Sequence, residues 1–394
     1  MITRTSGKLI VLAAGGTGGH VFPAEAIAQE LLAQGHRLAL ITDKRGTAYS
    51  GTLGLVETHH ISGQGLTGKG LMGLIRGVIA LGFGGLQARK LLEQLRPAAV
   101  VGFGGYASAP TVYAASKLGI PTVIHEQNAI LGRANRLLAR KVNRVCTSID
   151  LAKAITTAAQ VIRTGMPVRA NVAARRASAY IAPMGDAPFK IVVLGGSQGA
   201  RIFSDVIPAA MKLLPESLRK RIEIAQQSRP EELDRTLSAY HDAGVHVTLR
   251  TFFDNVPDLL AGAHLLIARS GASTVAEACV IGRPSLLVPY PYAADNHQAY
   301  NAEALAKAGG AWSLRQNEFT PQALAELLVQ FAGAPAALSK AAAAATHFSL
   351  PDAAQRLAEV VTNLIREDGA ATAAPRPVVV PASAPSNTMN RRIA

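Results

Sequence analysis

The sequence predicts an α/β protein made of two Rossmann-like, doubly wound domains. Three observations carry that expectation: short β-rich apolar runs alternate with longer helical stretches, the alternation continues through both halves of the chain, and each half opens on a strand, a glycine loop and a helix. At 394 residues the chain also exceeds one ordinary hydrophobic core.

In the first half the strand runs are Leu9–Leu12, Leu38–Thr42, Ala99–Val101, Pro121–Ile124 and Arg144–Cys146. In the second they are Ile191–Leu194, Ile222–Ala225, His246–Leu249, Leu265–Ala268 and Ser285–Val288. The opening units read LIVLAAGGTGGHVFPAEAIAQEL and IVVLGGSQGARIFSDVIPAAM, so each half has strands enough for its own sheet. The predicted domains are residues 1–169 and 170–350, divided after TGMPVR, where NVAARRASAYIAPMGDAP reads as a connector. Residues 351–367 form a last amphipathic helix, with Leu357, Val360, Val361 and Leu364 on one face, expected to pack back on the first domain. Residues 368–394 are Ala/Pro/Ser-biased and are expected to be a disordered tail.

Composition narrows the function classes. Two distant cysteines, Cys146 and Cys279, make neither a disulfide framework nor a zinc site and suit a reducing compartment. His59, His60, His241 and His246 lack metal-ligand spacing, so no metal is expected. The apolar stretch Leu9–Ala14 is too short for a signal-peptide core, and no run approaches the ~20 apolar residues of a membrane span, so the protein is expected in the cytosol. The net charge of +14 is uneven: residues 1–169 hold 19 Lys and Arg against 7 Asp and Glu, the remainder 21 against 19. A basic half suits nucleic acid, an anionic membrane face or an anionic substrate, or is simply a solvated surface. Nucleic acid is disfavoured, since there is no recognition-helix or RNP-type motif and aromatics make up only 5 % of residues.

Ligands of open α/β sheets bind beyond the carboxyl ends of the strands, and the unusual residues of this chain gather there. The first strand is followed by GGTGGH, Val101 by GFGGY, Ile124 by HEQN, Leu194 by GGSQGAR, Ala268 by RSGAST with Glu277 beyond, and Val288 by PYPYAADNHQ. Six such loops on matching ends of two sheets are expected to face a cleft. GGTGGH and GGSQGAR lead into helices and are candidates for phosphate contact through bare N–H groups and the helix dipole; the bland alternative is a tight turn that needs glycine for its backbone angle. A nicotinamide-dependent oxidoreductase is one rival, with Asp43 placed to bind an adenosine ribose. GGTGGH does not fit GxGxxG, however, because Val21 falls on the third glycine position. A nucleotide-sugar epimerase with two Rossmann-like domains is another, and composition does not separate it.

GGTGGHVFPA, GFGGYASAP, HEQNAILGRAN, TGMPVR, GGSQGAR, RSGASTVAE and DNHQAYNA occur in the order and approximate spacing of the MurG family, which the chain resembles over roughly residues 8–366. The resemblance implies a GT-B fold and an inverting, metal-free transfer of N-acetylglucosamine (GlcNAc). The donor would be UDP-GlcNAc and the acceptor the 4-hydroxyl of MurNAc-pentapeptide on undecaprenyl pyrophosphate, lipid I becoming lipid II in peptidoglycan synthesis. No cofactor is implied, and the location would be peripheral, on the cytoplasmic face of the inner membrane.

Carried over by position, Thr17, Gly18 and Gly19 would approach the sugar diphosphate and Asn128 would hold the GlcNAc. Arg169 and Ser197 would contact the diphosphate, the backbone of Phe253 would read uracil, and Ala272, Ser273, Thr274, Val275, Ala276 and Glu277 would line the nucleotide, Glu277 taking the ribose. Gln298 would bond the hydroxyls of the transferred sugar, and Gly104, Gly105, Tyr106 and His125 fall on the acceptor side. Two departures stand out: His297 replaces the first of two glutamines, and Ser273 stands where leucine is common. Blander readings make Arg169 a cap at a domain junction and His125 a satisfied core histidine.

His20 is the candidate general base, since an imidazole with an ordinary pKa near ~6.5 can take the proton of an attacking hydroxyl; the alternative is a hydrogen bond to the acceptor pyrophosphate. Glu126 is the reserve base. The apolar stretch Leu71, Met72, Leu74, Ile75, Val78, Ile79, Leu81 and Phe83, flanked by Lys69 and Arg76 with Arg140 and Lys141 expected nearby, is the candidate surface for an anionic membrane.

Overall fold

The computed structural model of the chain describes residues 7–15, 18–43, 51–62, 71–176, 178–196, 199–368 and 378–380, with residues 71–81 and 378–380 as backbone only. It divides into two compact units, Met1–Arg169 with Pro351–Ala384, and Ala170–Leu350 with Pro385–Ala394.

The strands of the first unit are β1 (Leu9–Ala13), β2 (Arg37–Thr42), β3 (Glu57–His60), β4 (Ala99–Gly102), β5 (Thr122–Glu126), β6 (Arg144–Thr147), β7 (Ile155–Thr157) and β8 (Gln160–Arg163). All but β7 form one parallel sheet in the order β3-β2-β1-β4-β5-β6-β8. The order reverses between β1 and β4, and a crevice for ligands is expected at their carboxyl ends. Near-continuous apolar runs such as LIVLA suit a central parallel strand covered on both faces. On one face Ile10 and Leu12 pack with Ala24, Ile27 and Leu31 of the helix Gly18–Ala33 and with Leu357, Ala358, Val361 and Leu364 of the helix Ala353–Asp368. On the other, Val11 packs with Ala88 and Leu92 of the helix Leu71–Leu95 and with Val112 and Ala115 of the helix Ser108–Lys117. Leu357 is fully buried, and its truncation to alanine would cost about 2–5 kcal/mol.

In the second unit β9 (Phe189–Leu194), β10 (Ile222–Gln227), β11 (His246–Arg250), β12 (Leu265–Ala268), β13 (Ser285–Leu287) and β14 (Ala311–Ser313) form a parallel sheet in the order β11-β10-β9-β12-β13-β14. Its reversal falls between β9 and β12. Ile191 and Val193 face Phe203, Ile207 and Met211 of the helix Arg201–Lys212. On a second cluster of this unit Leu287 meets Val275 and Cys279 of the helix Ala272–Ile281.

Every strand read from the sequence is present, and the described residues hold five more. β3, β8 and β14 are sheet edges of three or four residues (ETHH, QVIR, AWS), exposed enough to carry polar side chains and so without an apolar run. β7 pairs antiparallel with β15 (Val378–Val380), inside the stretch the sequence left without order. Three consecutive β-branched residues account for an extended conformation there.

Candidate active site

The crevice of the first unit is built by two glycine loops that touch. Gly15 N–H donates to Gly104 O at 2.9 Å, and a Cβ on Gly15 would lie 2.7 Å from Gly105 Cα. Gly104 and Gly105 both have positive φ, +93° and +82°, which glycine adopts without strain. The His20 ring covers this pair: a Cβ on Gly104 would stand 3.0 Å from its Nε2, and one on Gly105 3.4 Å from its Nδ1. His20 lies in the first turn of the helix Gly18–Ala33, which contains no acidic residue and starts on exposed Gly18 and Gly19. Its N–H groups and positive dipole end therefore favour an anion. Arg169 stacks on Phe22 of the same helix, its guanidinium carbon 4.6 Å from the ring centroid, and a Cβ on Gly18 would stand 3.1 Å from that ring. Gly18, Gly19, His20, Gly104, Gly105 and Arg169 thus share one neighbourhood, with Tyr106 half-buried next along the β4 loop. Thr17 lies outside the described residues.

Two expectations at the end of β5 need correction. Glu126, the reserve base, is 2 % exposed and its carboxylate is saturated. Oε1 accepts from Asn128 N–H (3.1 Å) and Asn128 Nδ2 (3.0 Å), while Oε2 accepts from Gly132 N–H and Asn135 Nδ2 (both 2.9 Å). Four donors fill its four lone-pair directions, so Glu126 is a staple that shapes residues 127–135 and orients Asn128. His125, expected on the acceptor side, has no exposed surface. Its Nε2 lies 3.0 Å from Gly165 O, which can only accept, and Gln127 Nε2 lies 3.3 Å from its Nδ1. The ring is therefore the neutral Nε2–H tautomer. Burial lowers its pKa to about 4, only partly opposed by the Gly165 bond. It is the satisfied core histidine, and direct contact with an acceptor is closed to it. Gln127, which the sequence reading passed over, joins this framework by donating to Phe103 O at 2.8 Å and so ties the end of β5 to the end of β4.

In the second unit the loop after β9 folds on itself: a Cβ on Gly195 would meet Ala200 N at 2.4 Å, and one on Gly199 the Arg229 Cγ at 2.8 Å. Ser197 lies outside the described residues. The helices that follow β9 and β12, Arg201–Lys212 and Ala272–Ile281, begin without an acid in the first turn and without a side-chain cap. The helix Pro321–Gly333, which follows neither strand, is capped by Thr320 Oγ1 accepting from Ala323 N–H. Most of the described helices likewise lack a side-chain cap, so what suits these two ends to an anion is their place at the switch point. Ala272, Ser273, Thr274 and Ala276 are half-buried. Val275, expected to line the nucleotide, instead points into the core with Cys279, Leu287 and Leu305, leaving only its backbone for a ligand. Glu277 sits one turn further, 9 % exposed, and Phe253 lies past the end of β11, 5 % exposed beside the well-exposed Phe252.

Gln298, in the first turn of the helix His297–Lys307, steadies a different loop. Its Oε1 accepts from Tyr290 N–H at 2.9 Å and its carbonyl from Ser270 Oγ at 2.8 Å, so what the side chain offers outward is the Nε2 donor end. Just before it, Asp295 and Asn296 hold consecutive left-handed conformations (φ 51° and 57°), a strain that these residue types tolerate best and that concentrates at functional loops. His297 Nδ1 faces Ala294 O at 2.8 Å and braces the same turn. Arg269, also missed from sequence, fixes the loop by donating to Val288 O (3.0 Å), Pro289 O (3.2 Å) and Gln316 Oε1 (2.6 Å), its guanidinium carbon lying 5.4 and 5.5 Å from the Phe203 and Tyr290 ring centroids. Its place directly after an apolar strand, in RSGAST, was the available signal. Among the described residues no group of three or more His, Cys, Asp or Glu is arranged to hold a metal.

The glycosyltransferase family 28 N-terminal domain matches residues 10–147 and the family 28 C-terminal domain residues 190–357. A UDP-N-acetylglucosamine–N-acetylmuramyl-(pentapeptide) pyrophosphoryl-undecaprenol N-acetylglucosamine transferase of Paramagnetospirillum magneticum is 54 % identical over 93 % of this chain and 100 % of its own length. The enzyme of the same name from Rhodospirillum centenum is 54 % identical over 89 % of this chain and 93 % of its own. Among solved structures, MurG of Acinetobacter baumannii superposes with a TM-score of 0.71 at 29 % identity, covering 90 % of this chain and 99 % of that one. A UDP-GlcNAc 2-epimerase from Neisseria meningitidis reaches 0.61 at 15 % identity over 90 % and 100 %, a likeness of fold alone.

Proposed function

The chain belongs to glycosyltransferase family 28, and we propose that it moves GlcNAc from UDP-GlcNAc to the MurNAc 4-hydroxyl of lipid I, giving lipid II and UDP. The observation that carries this is the match to the P. magneticum transferase along all of that enzyme's length. The residues supply the chemistry unit by unit. In the second unit, the open N-termini of the helices Arg201–Lys212 and Ala272–Ile281 stabilise the diphosphate as it leaves with the electron pair of the broken C1–O bond. Gln298, anchored through its oxygen, donates from Nε2 to the sugar, and Glu277 accepts from the ribose hydroxyls. In the first unit, His20 takes the proton of the acceptor hydroxyl as the new bond to C1 forms. Gly18, Gly19 and Arg169 hold an anionic group beside it.

A lipid acceptor supports a peripheral location on the cytoplasmic face of the inner membrane. Among the described residues no single helix is long and apolar enough to cross a bilayer. The side chains of Leu71 to Leu81 lie outside the described residues, but Phe83 and Leu86 on the same helix are exposed. On the adjoining helices Leu137 is exposed, and the half-exposed Tyr113 ring has the Lys117 and Lys141 ammonium groups 5.9 and 5.8 Å from its centroid. Apolar side chains beside lysines suit an anionic leaflet. The deciding assay incubates the protein with labelled UDP-GlcNAc and a lipid I analogue. Lipid-linked disaccharide is expected; UDP with free N-acetylmannosamine and no lipid product would overturn the reading in favour of an epimerase.

A further inference from the structure

Behind the second glycine loop lies a chain of buried polar side chains to which the proposed reaction gives no task. Tyr240, on the helix Leu233–Ala243, donates its hydroxyl to Gln226 Oε1 at 2.5 Å. Gln226, near the end of β10, donates from Nε2 to Ser204 Oγ at 3.4 Å, and Ser204 Oγ lies 3.1 Å from Ser228 Oγ. Tyr240 and Gln226 have no exposed surface, and Ser204 and Ser228 are 3 % and 2 % exposed. Burial pushes the Tyr240 phenol well above its ordinary pKa, so it stays a neutral donor. Apolar residues of similar shape would fill this space without the desolvation cost of an amide and three hydroxyls. A connected network does what they cannot: it fixes orientations as well as volume.

The two ends of the network explain what is fixed. Ser204 stands in the first turn of the helix Arg201–Lys212, the helix entered from the Gly195–Gly199 loop. Ser228 precedes Arg229, whose Cγ and backbone N lie against Gly199, leaving no room there for a side chain. Ser228 N–H donates to Arg250 O at 2.9 Å, and Gln227 Nε2 to Thr251 O at 3.2 Å, tying the end of β10 to the segment that runs into Phe252 and Phe253. The relay therefore borders Arg229, which lies against Gly199, and through the Ser228 N–H it is tied to the last residue of β11.

We infer that Tyr240, Gln226, Ser204 and Ser228 act as positioning residues that hold those two loops at the spacing of a uridine diphosphate, the glycine loop against the diphosphate and the Phe253 backbone against the base. This rests on the donor reading above and deepens it. The relay touches no substrate; it sets where the groups that do are found.

The test uses the full chain and UDP itself, so that it does not depend on sugar transfer. UDP affinity is measured by calorimetry for the wild type, Tyr240→Phe, Gln226→Glu and Ser204→Ala, beside the melting temperature and the steady-state constants. Tyr240→Phe strands the Gln226 oxygen, and a buried hydrogen bond lost from the relay should weaken UDP binding about three- to tenfold. The KM for UDP-GlcNAc should rise in parallel, with kcat and the KM for the lipid acceptor within a factor of two. Gln226→Glu keeps an oxygen for the Tyr240 hydroxyl but buries an ionisable carboxyl group, so its UDP affinity should recover as pH falls and that group is protonated. Ser204→Ala is the milder variant should Tyr240→Phe not fold, with about a threefold loss expected. A lowered melting temperature with unchanged UDP affinity would make the relay packing alone and overturn the inference. No UDP binding by the wild type would instead bring down the donor reading, and the relay's role with it.

Discussion

The two sheets wind alike and serve their glycine loops differently. Each reverses its strand order beside the strand that opens its unit, and each sends that strand through glycines into a helix. In the first unit the loop lies against another backbone, Gly104–Gly105, with an imidazole on top. In the second the loop lies against Arg229, backed by buried hydroxyls, and a nearby arginine fork steadies a separate loop. The first half carries nearly all the excess positive charge, the second almost none. A repeated scaffold thus presents a titratable group in one place and fixed donors in the other, a division suited to moving a proton in one unit and holding a leaving group in the other.

The largest effect that would break this comparison is the loss of His20. His20→Ala should lower kcat by about 10²–10⁴ with the donor KM little changed, as removal of a general base does. If steady-state kinetics instead place the whole loss in the acceptor KM, His20 is a binding residue and the first unit holds no proton carrier.

Next in size is the pH dependence that His125 builds into the first unit. Its folded pKa of about 4 lies below the ordinary 6.5, so the neutral ring is the folded form. Between these values the unfolded chain takes up a proton that the folded chain refuses, and stability falls as pH drops through that window, levelling off below about 4. The full window is worth roughly 3 kcal/mol. The urea midpoint should decline from pH 7 to 4.5, and His125→Gln should flatten the decline; an equal slope in the variant would remove His125 as its source.

Glu277→Ala sharpens the second unit's side. Losing a charge-assisted bond of about 1.5–3 kcal/mol should raise the KM for UDP-GlcNAc about 10- to 100-fold. A lower melting temperature with an unchanged donor KM would reduce Glu277 to a structural carboxylate. The smallest effect concerns the charge asymmetry. Lys117→Ala with Lys141→Ala should each remove about 1 kcal/mol of attraction to an anionic leaflet, seen as weaker co-sedimentation with anionic vesicles and a weaker salt dependence. Equal binding of wild type to neutral vesicles would count against the electrostatic part.

How much of this was legible in the sequence follows from how local each feature is. Central strands announce themselves because both faces are buried and their runs are apolar, as in Leu9–Ala13; the edges β3 and β14 carry ETHH and AWS and do not. The glycine loops and His20 were readable because motif and neighbourhood coincide. Glu126 looked like a reserve base because a carboxylate beside a polar loop has the right chemistry; that its four donors sit two to nine residues ahead is a matter of how HEQNAILGRAN curls. The Tyr240 relay had no signature at all, since its members come from two helices and the end of β10 and meet only through packing.

The helix Ala353–Asp368 has a consequence for biosynthesis. Its Leu357, Ala358, Val361 and Leu364 complete the core over β1, yet they leave the ribosome only after the whole second unit. At about 5–20 residues per second, the nascent first unit waits on the order of ten to forty seconds with Ile27 and Leu31 lacking their partner, while the buried core of the second unit comes entirely from residues between Ala170 and Leu350 and has no such wait. The half that emerges first is the half finished last, and a chain stalled before residue 353 would present that uncovered apolar face to chaperones.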